Sequence, residues 1–513
     1  MYSPTLEDFK KLAARGNLIP VTRLLLADIE TPLSAYKKIR GPGESFLFES
    51  VEGGEHLGRY SFVGCNPRAV IKQTSDRVEV LENGRVVQAF RIQPKGTSEA
   101  AERDASTLRD GLEAVERVMS KYRPVTVPGL PRFTGGAVGF IGYEFIHDIE
   151  PVVPRTPSDD LRTPVMYFLV ADQLLIFDRV AQTLTILVNA VLEDAASPEE
   201  SYENAVAEIE RLVALLEQPS EHRPITVPGE LPQIPFESNV PKEKFFANVR
   251  KAKEYITAGD IIQVVGSQRF SSQVKAEPLD VYRAARSINP SPYMFLLELN
   301  GCSLVGASPE IHVRCEDRKV EIRPIAGTRR RGKTQEEDKA LESELLADPK
   351  ERAEHVMLVD LGRNDLGRVC DFGSVHVKNL MIIERYSHVM HIVSQVEGRL
   401  SSDKTAYDLM RATFPAGTLS GAPKIRAMQI ISELEQTARG PYGGCVGYFS
   451  FNGNLDCCIT IRTALMENGK VYVQAGGGWV NDSTPEGEYE ETVNKAKAML
   501  KAVAMAETFA QQL

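Results

Sequence analysis

Hydrophobic and polar positions in the first half of the chain follow two patterns. Between about residue 20 and residue 190, apolar runs are rich in β-branched and aromatic residues and end in glycine, asparagine or aspartate, which is typical of strands followed by turns. These runs read SFLFESVEG, YSFVGCNPRAVIKQT, RVEVLENGRVVQAF, PVMYFLVADQLLIFDR and TLTILVNAV. Helical spacing of apolar residues predicts helices in the opening MYSPTLEDFKKLAARGN, from Ser106 to Tyr122, and from about Ser201 to Leu216.

The periodicity stops between Glu217 and Lys242, where the chain carries six prolines. The sequence therefore predicts an N-terminal region at 1–216, a linker at 217–242 and a C-terminal region at 243–513. Strands and helices alternate to the end of the C-terminal region, which predicts an α/β (α+β) fold. Antiparallel sheets covered by helices are favoured over a Rossmann fold, because no GxGxxG motif follows a strand.

Composition narrows the partners and the compartment. The formal net charge of −10 argues against nucleic acid or an anionic membrane as a partner, while a small anionic substrate needs only a locally positive pocket. No apolar stretch reaches the ~18 residues of a membrane span, and the N-terminus lacks the core of a signal peptide. The seven cysteines are an odd number without a CxxC pair, which predicts free thiols in a reducing cytoplasm.

Two acidic helical patterns are candidates for a cation site. Glu351 and Glu354 are three residues apart, and Glu488, Glu491 and Lys495 follow the spacing i, i+3 and i+7, so each set shares one helix face. Taken alone, such faces are usually solvated. If the two helices faced each other, their carboxylates would instead suit Mg²⁺, which prefers oxygen ligands.

Bare backbone segments are candidates for binding an anion. The run VYVQAGGGWVND places Gly476, Gly477 and Gly478 at the end of a predicted strand, where their N–H groups can approach a carboxylate closely. A flexible turn or bulge is the alternative. Gly327 and Thr328 precede the basic run 329–331, which is either an anion site or, more simply, a solvated turn.

Two polar residues interrupt apolar segments. His391 in HVMHIVSQV is either a hydrogen-bonded core residue or a general acid or base. Arg462 in CCITIRTAL interrupts an apolar strand, and a buried arginine requires a partner. That partner is either a structural carboxylate or the carboxylate of a substrate. The sequence carries no GxSxG, P-loop or HExxH motif.

Ten motifs in one order resemble those of the chorismate-utilising enzymes, over residues from about 245 to 500. They include IIQVVGSQRF, NPSPYMF, GASPE, RPIAGTRRRG, ERAEHVMLVDLGRNDLGRV, MHIVSQVEG, FPAGTLSGAPK, GPYGGCVGY, DCCITIRTA and QAGGGWVNDSTPEGEYEET. The N-terminal FLFESVEGGEHLGRYSFVG is similar to the leader half of the anthranilate-forming large subunits of that family. The resemblance implies an antiparallel sandwich core flanked by helices, with the catalytic domain in the C-terminal region.

The resemblance implies roles for individual residues. Glu354 and Glu491 match the Mg²⁺ ligands of the family, with Glu351 and Glu488 close by. The glycines at 476–478 and Lys495 match groups that assist binding of the ring carboxylate of chorismate, and Tyr442 and Arg462 match the clamp on its enolpyruvyl carboxylate. The remaining matched pocket residues are Gln263, Gly327, Thr328 and Thr418.

The reaction implied by the resemblance needs an acid and a base. Ammonia adds at C2 of chorismate and the C4 hydroxyl leaves, so that hydroxyl must be protonated. Glu310 is the expected acid, with its pKa raised by a closed site, and His391 is the expected base.

Two positions favour the anthranilate branch. Ala326 stands where aminodeoxychorismate synthases often carry a lysine, and Gln263 stands where isochorismate and salicylate synthases use a lysine to activate water. The expected product is anthranilate, the first step toward tryptophan. Aminodeoxychorismate synthase component I is the alternative within the family, and a non-catalytic amino-acid sensor is the alternative outside it.

A partner and an inhibitor are also implied. The chain lacks a glutaminase signature, so ammonia is expected from a separate glutamine amidotransferase subunit, component II. Several residues resemble the tryptophan pocket through which the family is inhibited, although they could also be ordinary core residues. These are Glu49, Ser50, Pro292, Tyr293, Met294, Val446 and Tyr448.

Overall fold

The computed structural model describes residues 1–51, 58–93, 105–192, 197–219, 225–386 and 389–510. Residues 52–57 of the N-terminal motif and 220–224 of the predicted linker lie outside the described residues. The helices of the described residues are α1 Leu6–Ala13, α2 Pro32–Ile39, α3 Gly111–Met119, α4 Ile146–Ile149, α5 Pro198–Leu216, α6 Lys242–Thr257, α7 Pro278–Ile288, α8 Gln335–Ala347, α9 Pro349–Gly367, α10 Ala406–Thr413, α11 Lys424–Glu435 and α12 Pro485–Ala510.

The strands of the N-terminal region run from β1 to β12. They are β1 Tyr2–Ser3, β2 Leu18–Leu26, β3 Ser45–Glu49, β4 Tyr60–Cys65, β5 Ala69–Thr74, β6 Arg77–Glu82, β7 Arg85–Ile92, β8 Thr107–Leu108, β9 Gly136–Ile141, β10 Met166–Ala171, β11 Gln173–Asp178 and β12 Thr183–Val191.

The strands that follow run from β13 to β26. They are β13 Glu237–Ser238, β14 Gln263–Gln273, β15 Tyr293–Glu298, β16 Ser303–Ser308, β17 Ile311–Glu316, β18 Lys319–Ile322, β19 Ile325–Arg330, β20 His376–Arg385, β21 Val389–Arg399, β22 Gly421–Ala422, β23 Cys445–Ser450, β24 Leu455–Ile459, β25 Thr463–Glu467 and β26 Lys470–Trp479.

These strands form two sheets of 13 strands each. The first sheet runs β1-β2-β12-β11-β4-β3-β15-β16-β25-β26-β14-β13, and the second runs β19-β21-β18-β17-β24-β23-β9-β10-β5-β6-β7-β8. Strand β22 pairs with β14 and β20 pairs with β21. The strand pairs are antiparallel apart from β7 with β8.

One apolar core lies between the sheets and two lie outside them. Phe46 and Phe295 of the first sheet share a buried cluster with Phe140 and Tyr448 of the second. Helices α5, α7 and α12 cover the outer face of the first sheet. Helices α3 and α10 cover the outer face of the second sheet, and helix α11 packs against β14 of the first sheet. The expected antiparallel sandwich flanked by helices is therefore confirmed.

Each sheet consists of one block of strands from the N-terminal region and one block from the C-terminal region, joined at a single strand pair. In the first sheet β3 pairs with β15, and in the second β9 pairs with β23. The segment predicted as a linker contains only the short strand β13 among its described residues, before α6 begins at its last residue. The regions on its two sides are thus joined by continuous hydrogen-bonded sheets.

Capping explains where the predicted helices start. Helix α5 begins three residues before the predicted Ser201, because the Ser197 side chain accepts a hydrogen bond from the Glu200 N–H and Pro198 occupies the first turn. Helix α3 is shorter than the predicted 106–122, because the Asp110 side chain caps it and the preceding β8 pairs with β7.

The cysteines agree with the expectation of free thiols. All seven cysteines are buried free thiols. Within the described part of the chain, no helix is both long enough and apolar enough to span a bilayer.

Candidate active site

The two acidic helices converge beside the start of strand β14. The Gln263 Nε2 amide on β14 donates a 3.0 Å hydrogen bond to Glu354 Oε1 on α9. On α12, Lys495 Nζ lies 2.6 Å from Glu491 Oε1 and also donates to the Gly476 carbonyl at 3.0 Å. Strand β26, which carries Gly476, is the neighbour of β14 in the sheet, so both helices border the same pocket.

The carboxylates of the two helices repel one another electrostatically. Burial raises the pKa of Glu354, and the charges of Glu351 and Glu491 raise it further. Burial raises the pKa of Glu488 to about 7, and Glu491 adds to the effect. Such mutual repulsion across two helices is the environment in which a bound cation lowers the energy of the site.

The carboxylates have oxygen atoms available for a hard cation. Glu488 Oε2 is buried without a hydrogen-bond partner, and Glu491 is half exposed toward the pocket side of α12. Among the described residues, no group of three or more acidic, histidine or cysteine side chains is close enough to hold a metal alone. A Mg²⁺ ion here would take remaining ligands from water and substrate, as it usually does.

The three glycines lie inside the ladder between β26 and β14. A Cβ on Gly477 would lie 2.8 Å from Glu488 Oε2 and 3.2 Å from Glu491 Oε1. A Cβ on Gly478 would lie 2.2 Å from Gln263 Nε2. The glycines pair in register with residues 265–267, so the alternative of a flexible turn or bulge is wrong.

The sequence predicted that Arg462 interrupts a strand, and the structure contradicts this prediction. It lies between β24 of the second sheet and β25 of the first, with φ of 52°, because the chain crosses between the two sheets at this point. Its half-buried guanidinium has no hydrogen-bond or ion-pair partner among the described residues. Burial lowers the pKa of Arg462, and Glu310, Tyr442 and Glu491 are the nearby groups that oppose this effect.

Tyr442 lies on the face of β26 opposite to Glu488 and Glu491 of α12, because successive residues of a strand point to opposite faces. Its ring is buried, and its hydroxyl oxygen would be 2.6 Å from a Cβ placed on Gly476. Tyr442 also belongs to a small apolar cluster with Val265 and Leu419. A phenol beside an unpaired arginine can bind one carboxylate of a dianionic ligand.

Glu310 also lies at a crossover between the sheets, after β16 and before β17. Thr418 Oγ1, in the 3₁₀ turn Gly417–Leu419, donates to Glu310 Oε2 at 3.3 Å. Burial raises the pKa of Glu310, against the opposing charges of Arg462 and Lys495. A carboxyl group with a raised pKa is suited to act as a proton donor near neutral pH.

His391 lies on β21 with its ring half-buried. Its Nδ1 atom is 3.0 Å from the Gly327 carbonyl and 3.0 Å from Thr328 Oγ1. Because a carbonyl only accepts, Nδ1 carries the proton and Nε2 keeps its lone pair. Burial lowers the pKa of His391, which favours the neutral ring, the form that can act as a base.

Gly327 forms a β-bulge that brings β19 against helix α9. Its φ is +66°, and a Cβ here would be 3.2 Å from Glu351 Oε2. Of the two alternatives for residues 329–331, the solvated turn is wrong, because Arg329 and Arg330 lie in strand β19. Arg329 is in β19 and pairs with Glu344 at 2.9 Å, Asp348 and Glu351, because α8 and α9 present carboxylates to this strand.

Sequence reasoning missed Arg439, which lies behind Tyr442. It follows helix α11 in the run ARGPYGG and is almost fully buried. A single arginine among glycines and apolar residues was the signal, as it was for Arg462.

The seven residues of the predicted inhibitor pocket line one cavity between the sheets, with a volume of about 1020 Å³. Ser50 Oγ is buried there without a hydrogen-bond partner. The sequence suggested that the Glu49 carboxylate could bind the ammonium group of a ligand, but this carboxylate already has partners within the protein. It accepts from Tyr282 Oη at 2.6 Å and pairs with Arg286 Nε at 3.0 Å, because the Glu49 side chain points toward helix α7.

The sandwich and its pocket define an enzyme class with known relatives. A family model described as chorismate binding enzyme matches residues 59–501, and the chain belongs to that family. Within the family, the chain belongs with the component 1 proteins of anthranilate synthase. It is 48% identical to anthranilate synthase component 1 of Acetivibrio thermocellus, over 98% of this chain and 99% of the relative.

Two further proteins show the same relationship. Anthranilate synthase component 1 of Pseudomonas putida is 47% identical, over 98% of each chain. The solved structure of anthranilate synthase component I from Streptococcus pneumoniae TIGR4 has a TM-score of 0.73 and 37% identity, covering 93% of this chain and 98% of that one. The expected family is therefore confirmed.

Proposed function

We propose that this chain is the chorismate-binding subunit of an anthranilate synthase, converting chorismate and ammonia to anthranilate, pyruvate and water. The observation that carries the proposal is the unpaired Arg462 guanidinium, which shares one pocket with the glycine strand and the two acidic helices. Chorismate carries two carboxylates, and this pocket offers one binding environment for each.

Arg462 and Tyr442 would bind the enolpyruvyl carboxylate. The ring carboxylate would lie near the glycine strand and Lys495. Glu354 and Glu491 would hold Mg²⁺, with Glu351 and Glu488 close by, and the bound ion would neutralise the charge of the ring carboxylate. The carboxylates fit this role because they are oxygen donors, and burial together with neighbouring carboxylates raises the pKa values of Glu354 and Glu488.

Glu310 and His391 would handle the protons. Glu310 protonates the C4 hydroxyl, which leaves as water while ammonia forms a bond to C2. The ammonium formed at C2 gives up one proton, which restores the acid form of Glu310. His391 Nε2 then takes the C2 proton as the C3–O bond breaks, and the enolpyruvate that leaves takes up a proton at its methylene carbon to become pyruvate. The raised pKa of Glu310 and the neutral ring of His391 support these roles.

Ammonia would come from a glutamine amidotransferase subunit, since the sequence has no glutaminase motif. Tryptophan would bind in the 1020 Å³ cavity and inhibit the enzyme. Backbone carbonyls and Ser50 Oγ, which has no partner, are the groups that would meet its ammonium. The cavity is lined by strands of both sheets, so a ligand there would alter how they pack.

The purified chain tests the proposal directly. We expect anthranilate from chorismate, Mg²⁺ and an ammonium salt, at a rate that rises with free ammonia, and no product from glutamine alone. Fluorescence follows the rate and mass spectrometry identifies the product. Aminodeoxychorismate, isochorismate or no product under these conditions would contradict the proposal, and turnover of glutamine by the chain alone would contradict the need for a partner.

A further inference from the structure

Glu435 and Arg439 form a buried ion pair directly behind the candidate pocket. Glu435 is the last residue of α11, and Arg439 follows four residues later with a side chain only 1% exposed. Arg439 Nε donates to Glu435 Oε2 at 2.8 Å, and Nη2 donates to Oε1 at 2.7 Å. A buried pair is weak evidence for stability, because apolar replacements are often neutral. The other contacts of the pair indicate what it does.

The guanidinium also binds the backbone of two pocket segments. Arg439 Nη1 donates to the Leu419 carbonyl at 2.9 Å, and Nη2 donates to the Val265 carbonyl at 2.7 Å. Leu419 directly follows Thr418, whose hydroxyl binds Glu310. The first of these hydrogen bonds therefore fixes the turn that supports the proposed proton donor.

The carboxylate of Glu435 holds the strand beneath the glycines. Its Oε1 accepts from both the N–H and the hydroxyl of Ser267, each at 2.8 Å. In the β14–β26 ladder, Val265 pairs with Gly478 and Ser267 pairs with Gly476. The ion pair thus forms hydrogen bonds with β14 at Val265 and at Ser267, the two residues that pair with the first and last of the three glycines.

Tyr442 is the third pocket element that the pair touches. The Arg439 Cζ atom lies 5.6 Å from the centroid of the Tyr442 ring and 4.6 Å from that of Tyr143. An arginine at this distance from an aromatic face is attracted to it. The Tyr442 ring is therefore held between the guanidinium and the glycine strand.

We propose that Arg439 and Glu435 are positioning residues that set the distance between the Tyr442 clamp, the Thr418 turn and the glycine strand. Neither would touch chorismate. The inference rests on the proposed function for its assay, but its geometry stands on hydrogen bonds among the described residues. A shift of ~1 Å in such groups can cost on the order of 100-fold in rate.

Arg439→Lys is the informative variant. It keeps the charge and a single contact, and it loses the fork that reaches Leu419, Val265 and Glu435 together. We expect KM for chorismate to rise about tenfold and kcat/KM to fall about 100-fold. A variant that was only less stable would have fewer folded molecules, so kcat would fall while KM stayed the same.

Arg411→Lys is the matched control. Arg411 forms a buried bidentate pair with Asp110, at 2.8 and 2.9 Å, on α10 away from the pocket. We expect its melting temperature to fall as much as that of Arg439→Lys, with KM unchanged. Equal KM values for Arg439→Lys and the wild type would overturn the proposal.

A milder variant and a binding measurement complete the test. Ser267→Ala removes one hydroxyl from Glu435, and we expect KM to rise about threefold even if Arg439→Lys does not fold; an unchanged KM would overturn the proposal. If the wild type makes no anthranilate, the proposed function fails. Calorimetry then gives the dissociation constant of chorismate, and we expect the same increases in both variants, whereas equal constants would overturn the positioning role.

Discussion

Gln263 and Glu354 are joined by a hydrogen bond of 3.0 Å that ties the first residue of strand β14 to the acidic face of helix α9. The amide therefore serves a carboxylate that we propose as a Mg²⁺ ligand. Gln263 is 2% exposed, so the contact is shielded from water and orients Glu354 toward the opposite acidic helix.

Glu354→Gln and Glu491→Gln should each abolish turnover while the fold remains intact. Each change removes a full negative charge from a site with few protein ligands, so a cation binds far more weakly. Turnover titrated against Mg²⁺ and melting curves measure the two effects. Glu490→Gln changes an exposed neighbour on the same helix and should behave like the wild type. Near wild-type turnover of either pocket variant at low Mg²⁺ would contradict the assignment.

Gly477→Ala should block chorismate binding. The added methyl group would lie 2.8 Å from Glu488 Oε2 and 3.2 Å from Glu491 Oε1, so the carboxylates must move. We expect at least a tenfold higher dissociation constant by calorimetry, about 1.4 kcal/mol. Gly43→Ala places a methyl group in open space and is the control. Unchanged binding by Gly477→Ala would remove the glycine strand from the site.

Ser50→Phe should relieve inhibition by tryptophan with little change in the uninhibited rate. The phenylalanine ring would fill part of the cavity that Ser50 lines. Because the ring would occupy the space of the ligand, we expect the tryptophan concentration for half inhibition to rise about tenfold or more, which corresponds to about 1.4 kcal/mol or more of binding free energy. Ser50→Ala leaves the space open and removes only the hydroxyl that would meet the ammonium, so it should weaken inhibition less than Ser50→Phe. Superimposable titration curves for Ser50→Phe and wild type would exclude Ser50, and a flat wild-type curve would exclude the site.

Glu144→Gln should reduce the loss of stability at alkaline pH. Burial raises the pKa of Glu144 to about 7, despite hydrogen bonds from the N–H groups of Arg439 and Gly440. The folded state therefore binds this proton more tightly than the unfolded state. The resulting stability is full at pH below the unfolded pKa, and it is lost as pH rises through about 7.

The raised pKa of Glu144 corresponds to a loss of roughly 3 kcal/mol in the free energy of unfolding, as pH rises from below the unfolded pKa to above the folded pKa of about 7. Urea unfolding of the wild type and Glu144→Gln at pH 5 and pH 8 measures the difference. We expect the variant to gain stability relative to the wild type as pH increases. A free-energy difference that is independent of pH would show that Glu144 does not titrate in this range.

The sequence predicted helices and strands better than it predicted where the chain crosses from one sheet to the other. Alternation and turn residues located the strands, and the cap at Ser197 explains the small error at α5. No periodicity showed that the chain passes between the sheets at Glu310 and Arg462. Those two crossings depend on strand order, which is a property of the whole sandwich rather than of a local pattern.

The site was predictable as motifs but not as contacts. Helical spacing placed Glu488 and Glu491 on one face, but the spacing could not show which helix would face them. The basic run at Arg329 illustrates the same limit. The sequence predicted a surface turn there because the carboxylate partners of Arg329 lie 15 to 22 residues further along the chain, on helices α8 and α9.

The joining of the two regions within each sheet has a consequence for how the proposed tryptophan inhibition could be lost. A chain shortened to begin after residue 216 would not be a desensitised enzyme. It would lack β3 beside β15 and β9 beside β23. The two exposed apolar sheet edges would promote aggregation. The proposed inhibition by tryptophan could therefore be lost through point substitutions in the cavity but not through truncation, so variants that lose it should differ by single residues.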